Sequence, residues 1–308
     1  MSSIINSKEG IITNIKESTK SGSTKRQYVE QLTAIIEKTV RESGVPADSV
    51  KAVCIGFPGA LDPFKGMVKL APNLKVSNLP IKKMLEEKIP YPVLIENDVN
   101  LGALGIKKFG ISKDGQNVLT VFIGTGIGGA LIIDGKIYRG SSFAAGEIGH
   151  IIIDPKGAKC NCGNRGCFET AASRSAIVKA IETDIKANKR TSLKKIFKQG
   201  KPIKSKALSI AVKEKDKLTV KHIGRACDII GGVLANINNL LDLDLIVLGG
   251  GLMEALDFYM LPKIKSAFKK NIMKESGKKI QIKSTKLADD AALYGGIALA
   301  EEFLNIKV

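Results

Sequence analysis

The chain has 308 residues, a length that exceeds one small core and suits two lobes of ordinary domain size. Its hydrophobic content of 44% is near the globular average. The sequence shows neither a signal peptide nor an apolar run of about 20 residues, the length that spans a bilayer. We therefore expect a cytoplasmic protein without membrane contact. Although a net charge of +18 attracts phosphate, the lysine-rich residues 184–217 lack an aromatic stacking set, which favours a solvated surface and no nucleic-acid partner.

The first third of the chain alternates predicted strands and helices. In chain order they are strands near 3–6 and 11–17, a helix near 25–43, the strand "KAVCIGF" and a helix near 80–87. The apolar run "YPVLIEND" then predicts a buried strand that ends on Asp98, and the residues after it predict a helix.

The rest of the chain continues this alternation. The predicted elements are the strand "NVLTVFI", the turn "GTGIGG", the strand "ALIID", the long helix "TVKHIGRACDIIGGVLANINNLLD" and the strand "LDLIVLG". Asp134 and Gly135 predict a tight hairpin. Strands that alternate with helices throughout a chain indicate an α/β fold.

A cluster of thiols gives the strongest local signal. Cys160, Cys162 and Cys167 lie within "KCNCGNRGCFET", and His150 stands ten residues before the first of them. A Cys3His set closes a tetrahedral zinc site, so we predict a structural zinc that holds loops in place and does not activate water. The alternative is a disulfide with a spare thiol, but Cys160 and Cys162 are too close to bridge comfortably.

Asp98 is the candidate catalytic residue. The run "VLIEND" delivers its carboxylate at the carboxyl end of a buried strand, where α/β folds place ligands. A carboxylate there could accept the proton of a hydroxyl nucleophile during phosphoryl transfer. The alternative is a helix N-cap, a position that Asp and Asn both favour.

The motifs together resemble those of the ROK family of sugar kinases. "GEIGH" followed by "CNCGNRGCFET" is similar to the family signature, and the ending "CFETAAS" is similar to that of its bacterial glucokinases. The other matching motifs, in the order in which such kinases have them, are "PGALD", "LAPNL", "IENDVNLGALG", "FIGTGIGGALIIDGK", "LLDLDLIVLGGGL" and "DDAALYGGIALA".

The resemblance implies a two-lobed actin-like ATPase fold, also called ribonuclease H-like. We expect a smaller N-terminal lobe over residues 1–112, joined by a C-terminal helix over 294–308, and a larger lobe over 113–293 that carries the zinc motif. It also implies phosphorylation of glucose to glucose 6-phosphate, with ATP and Mg²⁺ as cofactors and Asp98 as general base. Family members are commonly oligomers, and we expect a homo-oligomer, with a dimer favoured.

Two sets of site residues follow from the resemblance. The positions that match the family's sugar contacts are Asn73, Asn97, Asp98, Glu147, His150 and Glu169. The positions that match its nucleotide-binding loops are Gly124, Thr125, Gly126, Gly128, Gly249, Gly250 and Gly251. On their own, the glutamates also fit solvated acids, "GTGIGG" a tight hairpin and "LGGGL" a plain βα turn.

One expected motif does not occur in the sequence. Family members normally start with a strand and a phosphate loop of the form D-x-G-G-T, so we expect that this strand is missing through a misassigned start or a truncated gene. Three functions therefore stay open: a glucose kinase, another ROK kinase for fructose, N-acetylmannosamine or N-acetylglucosamine, and a sugar-binding protein with little catalysis.

Overall fold

The computed structural model describes residues 1–18, 24–71, 74–287 and 290–307. The chain forms two compact units. The first contains Met1–Lys113, Arg139–Ala145 and Asp289–Val308, and the second contains Asp114–Tyr138 and Gly146–Ala288. Across the described ranges, every helix is too short or too polar to traverse a lipid bilayer.

The elements of the first unit begin with a hairpin. In chain order they are β1 (Ser2–Asn6), β2 (Gly10–Ile15), α1 (Lys25–Ser43), β3 (Val53–Phe57), β4 (Ala60–Asp62), β5 (Met67–Ala71), β6 (Val76–Leu79), α2 (Ile81–Glu86), β7 (Val93–Asn97) and α3 (Asp98–Phe109).

The elements of the second unit follow. In chain order they are β8 (Val118–Ile123), β9 (Ile127–Ile133), β10 (Lys136–Tyr138), α4 (Phe168–Ala172), α5 (Arg174–Lys186), α6 (Lys194–Lys198), α7 (Ser205–Lys213), α8 (Lys217–Leu241), β11 (Leu245–Gly249), α9 (Gly251–Asn271) and β12 (Gln281–Ser284). The last helix, α10 (Ala291–Leu304), lies in the first unit. The α/β class predicted from the sequence is confirmed.

Strand β7 places the first candidate residue. It is buried from Val93 to Glu96, which explains the unbroken apolar run in the sequence. It pairs in parallel with β3, with Val53 opposite Val93 and Phe57 opposite Asn97. In the described part of this unit, β1 pairs with β2 in a second sheet. A third small sheet contains β4, β5 and β6. Helices α3 and α10 pack against each other beside β3.

The second unit is built on one mixed sheet in the strand order β10-β9-β8-β11-β12. β8 is parallel to β11 and antiparallel to β9. Asp134 and Gly135 form the predicted tight turn between β9 and β10, with φ of 50° and 74°. A positive φ at both central residues gives the twist that a two-residue hairpin requires. Helices α8 and α9 pack together beside this sheet and supply much of the unit's apolar core.

The segment Arg139–Ala145 departs from the predicted domain division, which assigned it to the C-terminal lobe. It clusters with the first unit, although the chain on both sides of it belongs to the second. The physical reason lies in its contacts. Arg139 forms ion pairs with two carboxylates of the first unit, and the Phe143 ring lies 5.8 Å from that of Phe64.

Candidate active site and metal centre

The junction of β7 and α3, residues 93–100, carries Asn97 and Asp98; we call it the Asp98 junction. Asn97 is the N-cap of α3, because its side-chain oxygen accepts hydrogen bonds from the backbone N–H groups of Val99 at 2.9 Å and Asn100 at 3.2 Å. Asp98 is the first helical residue and is not the cap. The cap predicted as the alternative role of Asp98 is therefore filled by its neighbour, which leaves the Asp98 carboxylate available for chemistry.

The Asp98 carboxyl is held in an environment that favours its protonated form. The residue is exposed to solvent, yet the surrounding protein partly desolvates its carboxyl group and raises its pKa. The backbone N–H of Val99, 3.0 Å from a carboxylate oxygen, works in the opposite direction and lowers the pKa by less than burial raises it. A raised pKa makes a carboxylate a stronger base, which suits proton abstraction from a hydroxyl.

An ion-pair network that includes Glu96, two residues before Asp98, was not predicted from the sequence. Its Arg139 and Glu96 side chains are buried, and its Glu302 side chain is exposed. Glu96 has 1% of its surface exposed, and one of its carboxylate oxygens accepts a hydrogen bond from Nε of Arg139 at 2.6 Å. The other two nitrogens of that guanidinium donate to the two carboxylate oxygens of Glu302 at 2.8 and 3.1 Å. The opposite charges hold the pKa of Arg139 above its usual value despite the desolvation that lowers it. One guanidinium thus pairs with two carboxylates, and the three side chains together carry one negative charge in excess.

The four predicted zinc ligands converge in the second unit. We call them the cysteine cluster: His150, Cys160, Cys162 and Cys167. Their ligand atoms all lie within 4.8 Å of one another. Nδ1 of His150 is 3.6 Å from Sγ of Cys160, and Sγ of Cys162 is 3.6 Å from Sγ of Cys167. A tetrahedral zinc with Zn–S bonds of about 2.3 Å separates its sulfurs by about 3.8 Å, so the cluster fits this ion.

The loop of the cysteine cluster folds back on itself through backbone contacts. Gly166 has φ of 71°, and a Cβ there would lie 1.5 Å from the carbonyl oxygen of Asp154, so only glycine fits. The backbone N–H of Phe168 donates to the carbonyl of Ile151 at 2.8 Å. Because Cys167 is the residue immediately before α4, a cation held by the cluster would also fix the start of that helix.

Three predicted sugar contacts gather beside this cluster. Nε2 of His150, the nitrogen turned away from Cys160, lies 3.7 Å from a carboxylate oxygen of Glu147. Glu169 is the second residue of α4, and a Cβ on Gly149 would lie 3.6 Å from its Cβ. The structure therefore brings Glu147, His150 and Glu169 into one neighbourhood of the second unit. Asn97 and Asp98 belong to the first unit, and Asn73 lies outside the described residues.

The sequence "GTGIGG" forms the predicted hairpin turn between β8 and β9. Gly124, Thr125 and Gly126 connect the two strands, whose last paired residues are Ile123 and Ile127. A carboxylate oxygen of Glu169 accepts the backbone N–H of Ile127 at 2.9 Å. A Cβ on Gly126 would lie 2.2 Å from that oxygen, so glycine is needed for the contact. The turn and a candidate sugar contact are thus joined directly.

Arg174 is a second residue that sequence reasoning missed. Its backbone N–H donates to the carbonyl of Gly124 at 2.9 Å, and its guanidinium donates to the Thr125 hydroxyl. A cation beside a glycine-rich turn suits an anionic ligand, but single arginines are common and nothing in the sequence distinguishes this one.

The remaining glycines lie at the end of β11. Gly249 is the last residue of that strand, Gly250 is the N-cap of α9 and Gly251 is the first residue of α9. A glycine-rich strand-to-helix turn lets a ligand approach the free N–H groups of a helix N-terminus, whose partial positive charge favours phosphate. This geometry fits nucleotide binding, and it also occurs in ordinary βα turns.

The chain is similar to proteins of known sequence and known structure. Residues 5–303 match the model described as ROK family. A glucokinase of Halalkalibacterium halodurans is 32% identical over 82% of this chain and 76% of its own length. A xylose repressor of Caldicellulosiruptor bescii is 30% identical over 91% of this chain and 70% of its own. The crystal structure of a Streptomyces griseus ROK family glucokinase with glucose and AMPPNP has a TM-score of 0.82 at 28% identity, over 97% of this chain and 95% of that one.

Proposed function

This chain belongs to the ROK family and has its actin-like two-lobed fold, and we propose that it transfers the γ-phosphoryl group of ATP to glucose, forming glucose 6-phosphate. The observation that carries the proposal is Asp98 itself. It is the first residue of α3, its neighbour Asn97 caps the helix in its place, and desolvation raises its pKa. Such a carboxylate is suited to take the proton of a sugar hydroxyl as the phosphoryl group arrives.

The sugar would be recognised by side chains with fixed positions. A hexose offers a ring of hydroxyls, and distinguishing one epimer from another needs several oriented acceptors and donors. We assign this role to the sequence-matched set Asn73, Asn97, Asp98, Glu147, His150 and Glu169. The hydrogen bond from Ile127 to Glu169 and the 3.7 Å approach of His150 to Glu147 support it, because they restrict how these side chains can move.

The nucleotide would be bound by two glycine-rich turns of the second unit. The turn between β8 and β9 contributes Gly124, Thr125 and Gly126, and Gly128 follows it at the start of β9. The junction of β11 and α9 contributes Gly249, Gly250 and Gly251. Backbone N–H groups at such turns bind phosphate oxygens without a side chain in the way. Magnesium, which ATP brings to the reaction, would neutralise charge on the transferred phosphoryl group.

We assign zinc to the cysteine cluster, with a structural role. Three thiolates and one imidazole fill the four positions of a tetrahedral zinc, so no position remains for water or substrate. The metal would restrain His150 through Nδ1 and the start of α4 through Cys167, which places Glu169 one residue beyond the helix start. It would therefore act on sugar binding by positioning protein groups.

A sugar panel tests the proposed function. Turnover with ATP and magnesium is measured on glucose, mannose, fructose and the two N-acetylhexosamines, and the sugar affinity of each is measured by calorimetry. We expect the highest kcat/KM with glucose and a product phosphorylated at the 6-hydroxyl. A higher kcat/KM with another sugar would contradict glucose as the substrate and favour a different ROK kinase.

The xylose repressor match supports a second candidate function, binding of a sugar without phosphoryl transfer. The same calorimetry, extended to xylose, separates the two. Tight sugar binding with no ATP-dependent product would favour sugar binding without phosphoryl transfer. Product formation would exclude sugar binding as the protein's sole role.

A further inference from the structure

Arg139 links three parts of the first unit that are distant in the sequence. Its guanidinium spans Glu96 on β7 and Glu302 on α10, which are 43 and 163 residues away. Only 10% of the Arg139 side chain and 2% of the Glu96 side chain are exposed. A buried charge that loses its partner is strongly destabilising, so these two groups depend on each other.

Two aromatic rings fix the orientation of the guanidinium. Its central carbon lies 5.7 Å from the ring centroid of Phe64 and 5.5 Å from that of Phe303. The two rings lie 5.4 Å apart, so they form a continuous apolar wall beside the cation. Arginine suits this environment better than lysine, because its planar group both stacks on rings and binds two carboxylates at once.

Glu96 passes this restraint to the Asp98 junction. One of its carboxylate oxygens binds Arg139, and the other accepts the backbone N–H of Asn97 at 2.8 Å and the side-chain amide of Asn100 at 3.0 Å. Asn97 is the N-cap of α3, and Asn100 is the third residue of that helix. The single carboxylate of Glu96 therefore holds the strand end and the helix start together.

We infer that Arg139 is a positioning residue for the proposed base: by holding Glu96 in place, it fixes the first turn of α3 and with it the Asp98 carboxylate. The inference rests on the proposed role of Asp98. It also gives a reason for the assignment of Arg139–Ala145 to the first unit, since this segment brings the arginine to the carboxylates. Misplacing a reacting group by about 1 Å can lower a rate by about 10²-fold.

The test compares Arg139→Met with Arg139→Lys and with Lys108→Met. Methionine keeps the apolar stem and removes the charge, whereas lysine keeps a charge that can serve one carboxylate. Lys108 forms an ion pair with Glu301 that joins α3 to α10, so Lys108→Met removes an ion pair of the same unit without touching Glu96. All measurements are made well below each variant's Tm, with the binding-competent fraction taken from the calorimetric stoichiometry of sugar binding.

We expect kcat per competent molecule to fall about 10²-fold in Arg139→Met, with a smaller loss of sugar affinity and an unchanged KM for ATP. Arg139→Lys should recover part of kcat, and Lys108→Met should keep it near that of the wild type. A kcat per competent molecule in Arg139→Met equal to that of Lys108→Met would overturn the inference.

A second measurement does not depend on activity. Within the peptide over residues 93–109, hydrogen exchange of the amides of residues 93–100, which exclude Lys108, should be faster in Arg139→Met and unchanged in Lys108→Met, because only the first substitution releases the Asp98 junction. Equal exchange in the two variants would contradict the positioning role. If the wild type phosphorylates no sugar, the proposed function fails, while this exchange comparison still decides whether Arg139 fixes the first turn of α3.

Should Arg139→Met not fold, the double variant Glu96→Gln with Arg139→Met removes both buried charges and keeps an oxygen that can accept the Asn97 N–H. We expect this variant to fold and to keep part of the wild-type kcat per competent molecule. A folded double variant whose exchange at residues 93–109 equals that of the wild type and whose kcat is lost would contradict the inference, because the loss would then not come from the geometry of the junction.

Discussion

The Asp98 junction and the segment around Glu169 hold their carboxylates by different means. Asp98 stands where a buried strand continues directly into a helix, capped by Asn97 and supported by the Glu96–Arg139 ion pair. Glu169 stands at the start of a five-residue helix, α4, that follows the loop of the cysteine cluster. The first position is held by secondary structure and protein charges. The second follows a loop in which four candidate ligand atoms lie within 4.8 Å of one another, and under the proposed zinc assignment it would depend on that metal.

This difference suggests a division of labour. Short helices and loops contribute little stability of their own, so a metal can supply the rigidity that a strand supplies elsewhere. The reacting carboxylate would then not depend on metal content, whereas the sugar-binding carboxylate would. Removing the metal should change sugar affinity, and removing the Asp98 carboxylate should change the chemical step.

The largest effect is expected for Asp98→Asn. An amide still forms hydrogen bonds with a sugar but cannot accept its proton, so we expect kcat to fall by about 10²- to 10⁴-fold while sugar affinity stays near that of the wild type. Steady-state kinetics and calorimetry measure the two quantities. Asp48→Asn, an exposed aspartate of the same unit, serves as the control and should keep kcat. Comparable turnover in Asp98→Asn would mean that another group is the base.

A smaller effect is expected for Cys167→Ser. Losing one thiolate leaves an incomplete metal shell, so we expect lower zinc content, lower stability and a sugar affinity about 10- to 100-fold weaker. Elemental analysis, thermal unfolding and calorimetry measure these quantities. Cys227→Ser is a matched control, because Cys227 is also fully buried but lies on α8, outside the cluster.

The control should lose some stability and keep both zinc and sugar affinity. A zinc-free Cys167→Ser protein with full sugar affinity would contradict the dependence of the Glu169 segment on metal. Chelation of the wild type sharpens the comparison further, since it should weaken sugar binding without changing hydrogen exchange at residues 93–109.

The sequence predicted those parts of the fold and of the candidate site that depend on neighbours in the chain. The apolar runs of β7, β8 and β11 predicted strands, because each is a short run of residues that ends in a turn or an acidic residue. The cysteine cluster was predicted because its ligands lie within 18 residues, from His150 to Cys167. Local preference could not decide which of Asn97 and Asp98 caps α3, since both residue types favour that position.

Contacts between distant residues could not be predicted in this way. The ion pairs of Arg139 join residues 43 and 163 positions apart, and neither arginine nor glutamate stands out in a chain with many charges. The contact of Arg174 with Thr125, 49 positions away, was missed for the same reason. Both contacts were identified only from the fold, which places Arg139 beside Glu96 and Arg174 beside Thr125.

The smallest effect concerns two aspartates at helix starts, Asp98 of α3 and Asp216 of α8. At Asp216 burial raises the pKa, but hydrogen bonds from the backbone N–H groups of Thr219 and Ser192 lower it by more, so the net pKa is lowered. At Asp98 burial outweighs the hydrogen bonds from the backbone N–H groups of Val99 and of Asp98 itself, and the net pKa is raised. Folding therefore favours the charged form of Asp216 and the protonated form of Asp98.

The two aspartates should consequently affect stability in opposite directions. For Asp98 the folded state binds its proton more tightly than the unfolded state does, so the stability it contributes is lost as pH rises from the ordinary carboxyl pKa through the raised one. For Asp216 the contribution is present above the ordinary pKa and is lost as pH falls through the lowered one.

At pH 7 we expect Asp98→Asn to be more stable than the wild type and Asp216→Asn to be less stable. Urea unfolding of zinc-loaded protein at pH 7 and at pH 4.5 measures both differences. The difference for Asp98→Asn should shrink at pH 4.5, whereas that for Asp216→Asn should persist there, because pH 4.5 is still above the ordinary carboxyl pKa. A loss of stability at pH 7 in Asp98→Asn would show that the favourable interaction of a carboxylate with a helix N-terminus outweighs its desolvation. It would contradict the raised pKa that the proposed base requires.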